Sequence, residues 1–207
     1  MVSNATLLTY VTVVLGLFLI PGPAVLLVLG RATAGGRRVG IATGLGIAFG
    51  DLLHTLMATI GLSAVLMTSA LAFSLVKYAG VAYLVYLGIR AFVEKSGELD
   101  IAPARLIDAP LAFRQAVLAE VLNPKTALFF LAFLPQFVDP GHGPVAQLAT
   151  LGLVFVGMSA VYTALLALAA GSIGQWLKHH RSIGRWQGRV VGTIYLALGV
   201  RLALQER

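Results

Sequence analysis

The stretch from Met1 to Gly30 contains no Asp, Glu, Lys, Arg or His, yet Pro21-Gly22-Pro23 stands inside it. A charge-free run of that length suits a helix that crosses the bilayer core. Proline does not suit it. It removes a backbone donor and clashes with the preceding turn, at a cost of roughly 3 kcal/mol to a helix. A second apolar segment carries a matching break at Asn123-Pro124-Lys125. In hydrocarbon the freed backbone groups cannot turn to bulk water. Such breaks persist where they line a cavity, and a pair in corresponding positions of two halves points to a transporter binding site.

The rest of the composition agrees with a membrane protein. The chain is 58% hydrophobic and 11% charged, with a mean hydropathy of +0.90, whereas soluble domains carry about 25% charged residues. A cleaved signal peptide needs a basic start and a shorter apolar run, so the first segment reads as a retained span. There is no cysteine, which leaves no disulfide and no thiolate chemistry. The net charge of +7 does not point to nucleic acid, because most of the Lys and Arg fall in short connections. That distribution is a topology signal.

Six segments are long enough to span: Leu7 to Gly30, Val39 to Leu62, Leu71 to Val93, Ala116 to Val138, Val145 to Gly171 and Gly188 to Leu204. The first loop holds Arg31, Arg37 and Arg38, the third Lys95, Arg105 and Arg114, and the fifth Lys178, Arg181, Arg185 and Arg189. The second and fourth have no Lys or Arg; the fourth has Asp139 and His142. The positive-inside rule places the odd loops in the cytoplasm and both termini outside, in the inner membrane. Trp176 and Trp186 flank the fifth loop as an interfacial belt.

The two halves resemble each other. Lys77-x-x-Gly80-x-x-Tyr83-Leu84 and Leu87-Gly88-Ile89-Arg90 in the third span match Arg189-x-x-Gly192-x-x-Tyr195-Leu196 and Leu198-Gly199-Val200-Arg201 in the sixth. Gly46-x-x-x-Gly50 is read against Gly152-x-x-x-x-Gly157, and Pro23 against Pro124. Three spans per copy make the second enter from the opposite side. The expected fold is an all-α integral membrane protein, with six transmembrane helices as a three-plus-three inverted repeat and broken first and fourth helices. The repeats are residues 1–93 and 116–207, joined by a cytoplasmic linker at 94–115.

Ionisable groups inside spans are costly and functional by default. Asp51 lies about twelve residues, hence about 18 Å, into the second span, close to the midplane. A carboxyl there can load a proton on one side and release it on the other. Lys125 follows the second break and suits a substrate carboxylate, or a pairing with Asp51. His54 shares the helix face of Asp51 at i+3. Glu120 sits one turn before Pro124, within reach of the cytoplasmic interface. Pro21, Gly22, Pro23, Asn123 and Pro124 are the expected cavity-forming breaks, whose half-helix ends favour an anion such as an amino-acid carboxylate. Ser159 and Thr163 offer hydroxyls to the cavity or to their own helix. Gly36, Gly40 and Gly44, with Gly46 and Gly50, are expected to let helices approach closely. Phe129, Phe130, Phe133 and Phe137 read as packing or lipid-facing. His179-His180 makes a poor metal site, and no metal or other cofactor is expected.

In this combination and order, Pro21-Gly22-Pro23, Gly50-Asp51, Gly80-x-x-Tyr83-Leu84-x-Tyr86-Leu87-Gly88, Asn123-Pro124-Lys125 and Phe133-Leu134-Pro135-Gln136-Phe137 make the chain resemble the LysE/RhtB family of bacterial amino-acid exporters. The likeness covers essentially the full length. It implies an inner-membrane exporter of amino acids or analogues such as homoserine, threonine or leucine, driven by the proton gradient. Glu120 departs from the family pattern, which has a neutral polar or small residue there. The partners expected are a small amino acid, protons and the lipid bilayer; a homodimer is compatible with the sequence. A cation or metal-ion exporter would need several acidic, His or Cys ligands in the spans. An intramembrane enzyme would need a nucleophile and base at one depth, for which Asp51 with His54 is the one hint.

Overall fold

The computed structural model describes residues 2–19, 22–62, 107–139 and 141–179, together with isolated helical positions between 74 and 93 and between 192 and 204. Among the described residues every regular element is helical. Pro21 lies outside them, as do Gly80, Tyr83, Leu87, Arg90, Arg189, Tyr195, Leu198, Arg201 and Trp186 of the expected repeat and belt.

Helix α1 spans Asn4–Leu19. Ser3 starts it, with its Oγ accepting from the Thr6 amide at 3.1 Å. Helix α2 spans Pro23–Met57 and runs on through a π-helical turn, Ala58–Leu62. It is not one rod. Gly36 has φ 77°, a left-handed conformation that glycine adopts without steric cost. Ala32 and Gly40 would stand about 12 Å apart along a straight helix. Here a Cβ on Gly40 would fall 2.5 Å from the Ala32 Cβ. The chain therefore folds back at Gly36 into two arms, 23–35 and 37–57. The first arm, about 20 Å long by the helical rise, is too short to cross a bilayer alone. Helix α1 precedes it as a second short apolar helix. Arg31, Arg37 and Arg38 gather at the turn between the arms.

Helix α3 spans Ala109–Val121. It begins earlier than the expected fourth span because Asp108 caps it, accepting from the Leu111 amide at 3.1 Å, and Pro110 presets the first turn. After the second break, α4 spans Pro124–Leu128, widens into a π-helical turn at Phe129–Phe133 and then tightens into a 3₁₀ turn at Leu134–Phe137. The two pieces are bent by 46° and together are long enough for one broken span. The α4 end turns into α5 through Asp139, whose backbone N–H and C=O are both bound by the buried side chain of Gln147. The Gly141 backbone N–H and then His142 hold the Asp139 carboxyl below the usual carboxylate range. Helix α5, Pro144–His179, runs in one piece for 36 residues, of which Pro144–Gly171 is long and apolar enough to cross a membrane.

Glycines set the helix spacing. Gly40 and Gly44 face α5, where added Cβ atoms would lie 3.0 Å from the Ala167 Cβ and 2.8 Å from the Thr163 Oγ1. Gly46 and Gly50 face α3, against Phe113 and Ala116 and against Glu120. The contact of α2 with α5 is also reciprocal. Gly44 meets Thr163, and Gly152 meets Thr55; Gly44 and Gly152, like Thr55 and Thr163, stand 108 residues apart. Thr55 donates to the Asp51 carbonyl at 2.9 Å, and Thr163 to the Ser159 carbonyl at 2.7 Å. Among the isolated positions, Gly88 lies against Leu196 and Gly192.

Tyr10, Val14, Phe129, Phe130, Phe133, Leu134, Leu148, Leu151 and Phe155 form one buried apolar cluster, and Tyr10 packs edge-on against Phe137 at 5.1 Å. Its hydroxyl is buried with no hydrogen-bond partner among the described residues. Tyr10→Phe is therefore expected to leave thermal stability in detergent unchanged or raise it by up to about 1 kcal/mol. Gly46→Ala drives a methyl onto the α3 backbone and should cost about 1–3 kcal/mol. Gly16→Ala meets nothing within 4 Å of its new methyl among the described residues and should be neutral or mildly stabilising in the same melt.

Candidate functional site

The chemistry of the site follows from which carbonyls the two prolines release. In a helix the carbonyl of residue i accepts from the amide of i+4. Pro124 has no amide hydrogen, so the Glu120 carbonyl loses its helical donor. His54 supplies one, with Nε2 3.0 Å from the Glu120 oxygen; the Asn123 amide also reaches it at 3.0 Å. A carbonyl only accepts, so that contact places the His54 proton on Nε2. The ring stacks on Phe130 at 5.7 Å.

The first break is served in the same way. Pro21 likewise has no amide hydrogen to offer the Leu17 carbonyl. Lys125 Nζ donates to that oxygen at 2.9 Å. Gly22 is extended, with φ −116° and ψ −174°, so it does not continue the helix back to Phe18. The Tyr162 hydroxyl donates to the Phe18 carbonyl at 2.7 Å. A residue of the second break thus braces the first, and a residue of α2 braces the second.

Between the breaks lies an open cavity of ≈ 50 Å³. Gly22, Ala24 and Val25 of the first break line it, as do Glu120, Asn123, Lys125 and Thr126 of the second. Asp51 enters from the second arm of α2, and Ser159, Tyr162 and Thr163 from α5. Leu17, Phe18, Ile47 and Phe155 complete an apolar wall. Pro23 and Pro124 each open a helix and are exposed, so the prolines make the breaks while Gly22 and Asn123 face the cavity.

Two carboxyl groups share this space. Asp51 is 1% exposed and Glu120 3%. Their approach depends on Gly50, where a Cβ would stand 2.6 Å from the Glu120 Cβ. Glu120 is well supplied with donors: Asn123 Nδ2 reaches both its oxygens at 3.1 Å, and the Thr126 hydroxyl binds one of them. Asp51 is not. Ser159 and Glu120 are the side chains that act on its carboxyl, yet neither Asp51 oxygen has a hydrogen-bond partner among the described residues. Lys125 is half-buried, its stem running past Gly22.

The structure thus brings together Asp51, Lys125 and Glu120 in one cavity, with His54 behind Glu120. Glu120 corrects the sequence expectation: it is buried beside Asp51 and does not reach the interface. The helix starts at Ala109, so Glu120 lies about 16 Å along it by the helical rise. Thr163 spends its hydroxyl on its own helix, while Ser159 faces Asp51. Tyr162 and Thr126 were missed. Tyr162 was legible as the residue at i+3 from Ser159, on the same face. At the start of α2, Gly22 provides no side-chain cap, and the Ala24 and Val25 amides open the helix beside Lys125. Among the described residues no group of three or more His, Cys, Asp or Glu side chains is placed to hold a metal ion.

The comparisons with known proteins point to a translocator. The sequence model of the LysE type translocator family matches residues 15–206. The chain is 32% identical over 201 residues to an uncharacterized membrane protein of Pseudomonas aeruginosa, covering 94% of this chain and 93% of that one. It is 30% identical over 165 residues to a homoserine/homoserine lactone efflux protein of Salmonella typhimurium, covering 79% and 76%. It is 25% identical over 201 residues to a leucine efflux protein of Klebsiella pneumoniae, covering 95% and 93%. No solved structure matches. An all-helical chain with apolar helices of spanning length, matched from its first break almost to its end, belongs to the LysE type translocator family of membrane proteins.

Proposed function

We propose that this protein exports a small amino acid or close analogue across the inner membrane by proton antiport. The observation that carries the reading is the pair of buried carboxyls, Asp51 and Glu120, beside Lys125 in a cavity bounded by both helix breaks. Amino acids carry an ammonium and a carboxylate, and the cavity offers a partner to each. The cargo carboxylate goes to Lys125 and the uncapped start of α2, where amides and the helix dipole favour an anion. The cargo ammonium goes to Asp51. Asp51 takes a proton when the cargo leaves. Glu120, bound by Asn123 and Thr126, supplies a fixed negative group beside it. The apolar wall receives the side chain. The relatives named for homoserine and leucine efflux support an amino-acid cargo.

The reading includes six spans in two inverted repeats. The reciprocal contacts Gly44 with Thr163 and Thr55 with Gly152 support it, since an isologous contact is what a two-fold relation produces. The basic turn at Gly36 lies in the cytoplasm, with the termini and the Asp139 turn outside. Residues 94–115 form the cytoplasmic linker.

Export is measured by comparing intracellular and exported amino-acid pools with and without the gene, then in proteoliposomes under an imposed pH gradient. Asp51→Asn keeps the shape and is expected to lower gradient-driven export at least ~10-fold; export that stays tied to the gradient in this variant would sink the coupling role. Glu120→Gln is expected to raise KM about 10-fold, the effect of losing one modest charge interaction near the bound cargo. An unchanged KM would remove Glu120 from the binding site.

A further inference from the structure

The two donors at the first break differ in what else they can do. Lys125 is a point charge on a flexible stem, and it borders a cavity with room for an anion. A carboxylate that enters competes with the Leu17 carbonyl for its ammonium, and a charge-assisted bond is the stronger of the two. Tyr162 has no such alternative. Its ring lies flat on the Phe18 ring, with centroids 5.2 Å apart and planes at 12°, and its hydroxyl meets the Phe18 carbonyl of the same residue. It therefore grips Phe18 twice, from the unbroken helix α5.

Its place in the fold points the same way. Tyr162 stands 108 residues after His54, the interval that separates Gly44 from Gly152 and Thr55 from Thr163. His54 holds the carbonyl freed by the second break, and Tyr162 holds one freed by the first. Each sits on the helix that follows the break of its own half, and each serves the break of the other.

We infer that Tyr162 is a positioning residue of the cavity: it keeps the first break docked on α5 while the Lys125 ammonium passes from the Leu17 carbonyl to the carboxylate of the cargo. The part given to Lys125 rests on the export reading above; the docking by Tyr162 does not. Without the hydroxyl, cargo binding leaves both loose carbonyls of the break unserved at membrane depth, where no bulk water replaces a donor. The break then opens more readily, and cargo binds less tightly.

Tyr162→Phe removes the hydroxyl and keeps the ring. A reporter can be placed beside it, because the chain has no native cysteine. Gly22→Cys fits: a Cβ there lies 3.4 Å from the Lys125 Cδ, an ordinary contact, and the extended backbone accepts any residue. The rate at which a small water-soluble maleimide labels that cysteine in purified protein is expected to rise about 5-fold or more on adding Tyr162→Phe, as local opening becomes easier. Equal labelling rates overturn the docking role. In proteoliposomes without the reporter, and with leucine and homoserine as probes, Tyr162→Phe should raise KM about 10-fold. In a Lys125→Met background the same change should alter residual transport less than ~2-fold, because the two residues act as a unit. Equal fold effects in both backgrounds overturn the link to Lys125. If labelling responds while the unaltered protein moves no amino acid, the export reading falls and the docking role stands.

Discussion

A backbone carbonyl set loose at membrane depth has to find a donor from the protein, and this requirement organises the molecule. Pro21 releases Leu17, the extended Gly22 releases Phe18, and Pro124 releases Glu120. The donors are Lys125, Tyr162 and His54. None comes from the helix that carries the vacancy. The first break therefore leans on distant chain, and the second adds a distant donor to the local Asn123 amide that already reaches Glu120. The breaks face each other because their braces reach across the space between them, and the cavity is that space.

The second requirement is closeness. Glycines at 46 and 50 let α3 settle against α2, and the contact is tight enough that a methyl at either would meet α3 atoms. The result is a carboxyl pair that neither helix holds alone. Their surroundings then separate them. Glu120 collects donors from Asn123 and Thr126 in its own break, so a local turn fixes its orientation. Asp51 projects from the middle of a regular helix, whose backbone has no spare donor to offer, and the neighbouring Thr55 hydroxyl is occupied by the Asp51 carbonyl. One carboxyl is thus built in, and the other is left available.

Much of this was legible in the sequence. Hydropathy and proline placement anticipated the interruptions before Pro23 and Pro124 and the continuous helix that starts at Pro144. Asp51 and Lys125 stood out because ionisable groups are rare in such segments. Three things were hidden, each for a physical reason. Glu120 was placed too shallow because the polar residues Arg114 and Gln115 masked a helix that its cap, Asp108, starts earlier. The expected repeat was aligned through Gly46 with Gly152 and Gly50 with Gly157, whereas the reciprocal contacts set Gly44 on Thr163 and Gly152 on Thr55, so the proposed repeat would match Gly44 to Gly152. A face of Gly, Ala and Thr can slide by two residues with no change in hydropathy, and only packing fixes its register. Tyr162 was passed over because a tyrosine in an apolar helix looks like filling until the carbonyl it serves is seen.

The charge in the cavity limits how a transport cycle can run. Two carboxyl groups face one ammonium. On the export reading proposed above, a zwitterionic cargo would add no net charge but would bring a cation to Asp51 and an anion to Lys125. Its departure takes both away. Lys125 then has the Leu17 carbonyl to return to, as seen here. Asp51 makes no hydrogen bond among the described residues, although the Ser159 hydroxyl faces it, and a buried charge without a partner is expensive. A proton is the smallest occupant that can take the place of the cargo ammonium. Under that proposal proton and cargo would be alternatives at one carboxyl, and their mutual exclusion would be enough to couple export to proton entry. On this view the lack of hydrogen bonds to Asp51 is what the cycle uses: a carboxyl satisfied by the protein, as Glu120 is, would have no need to exchange one cation for another.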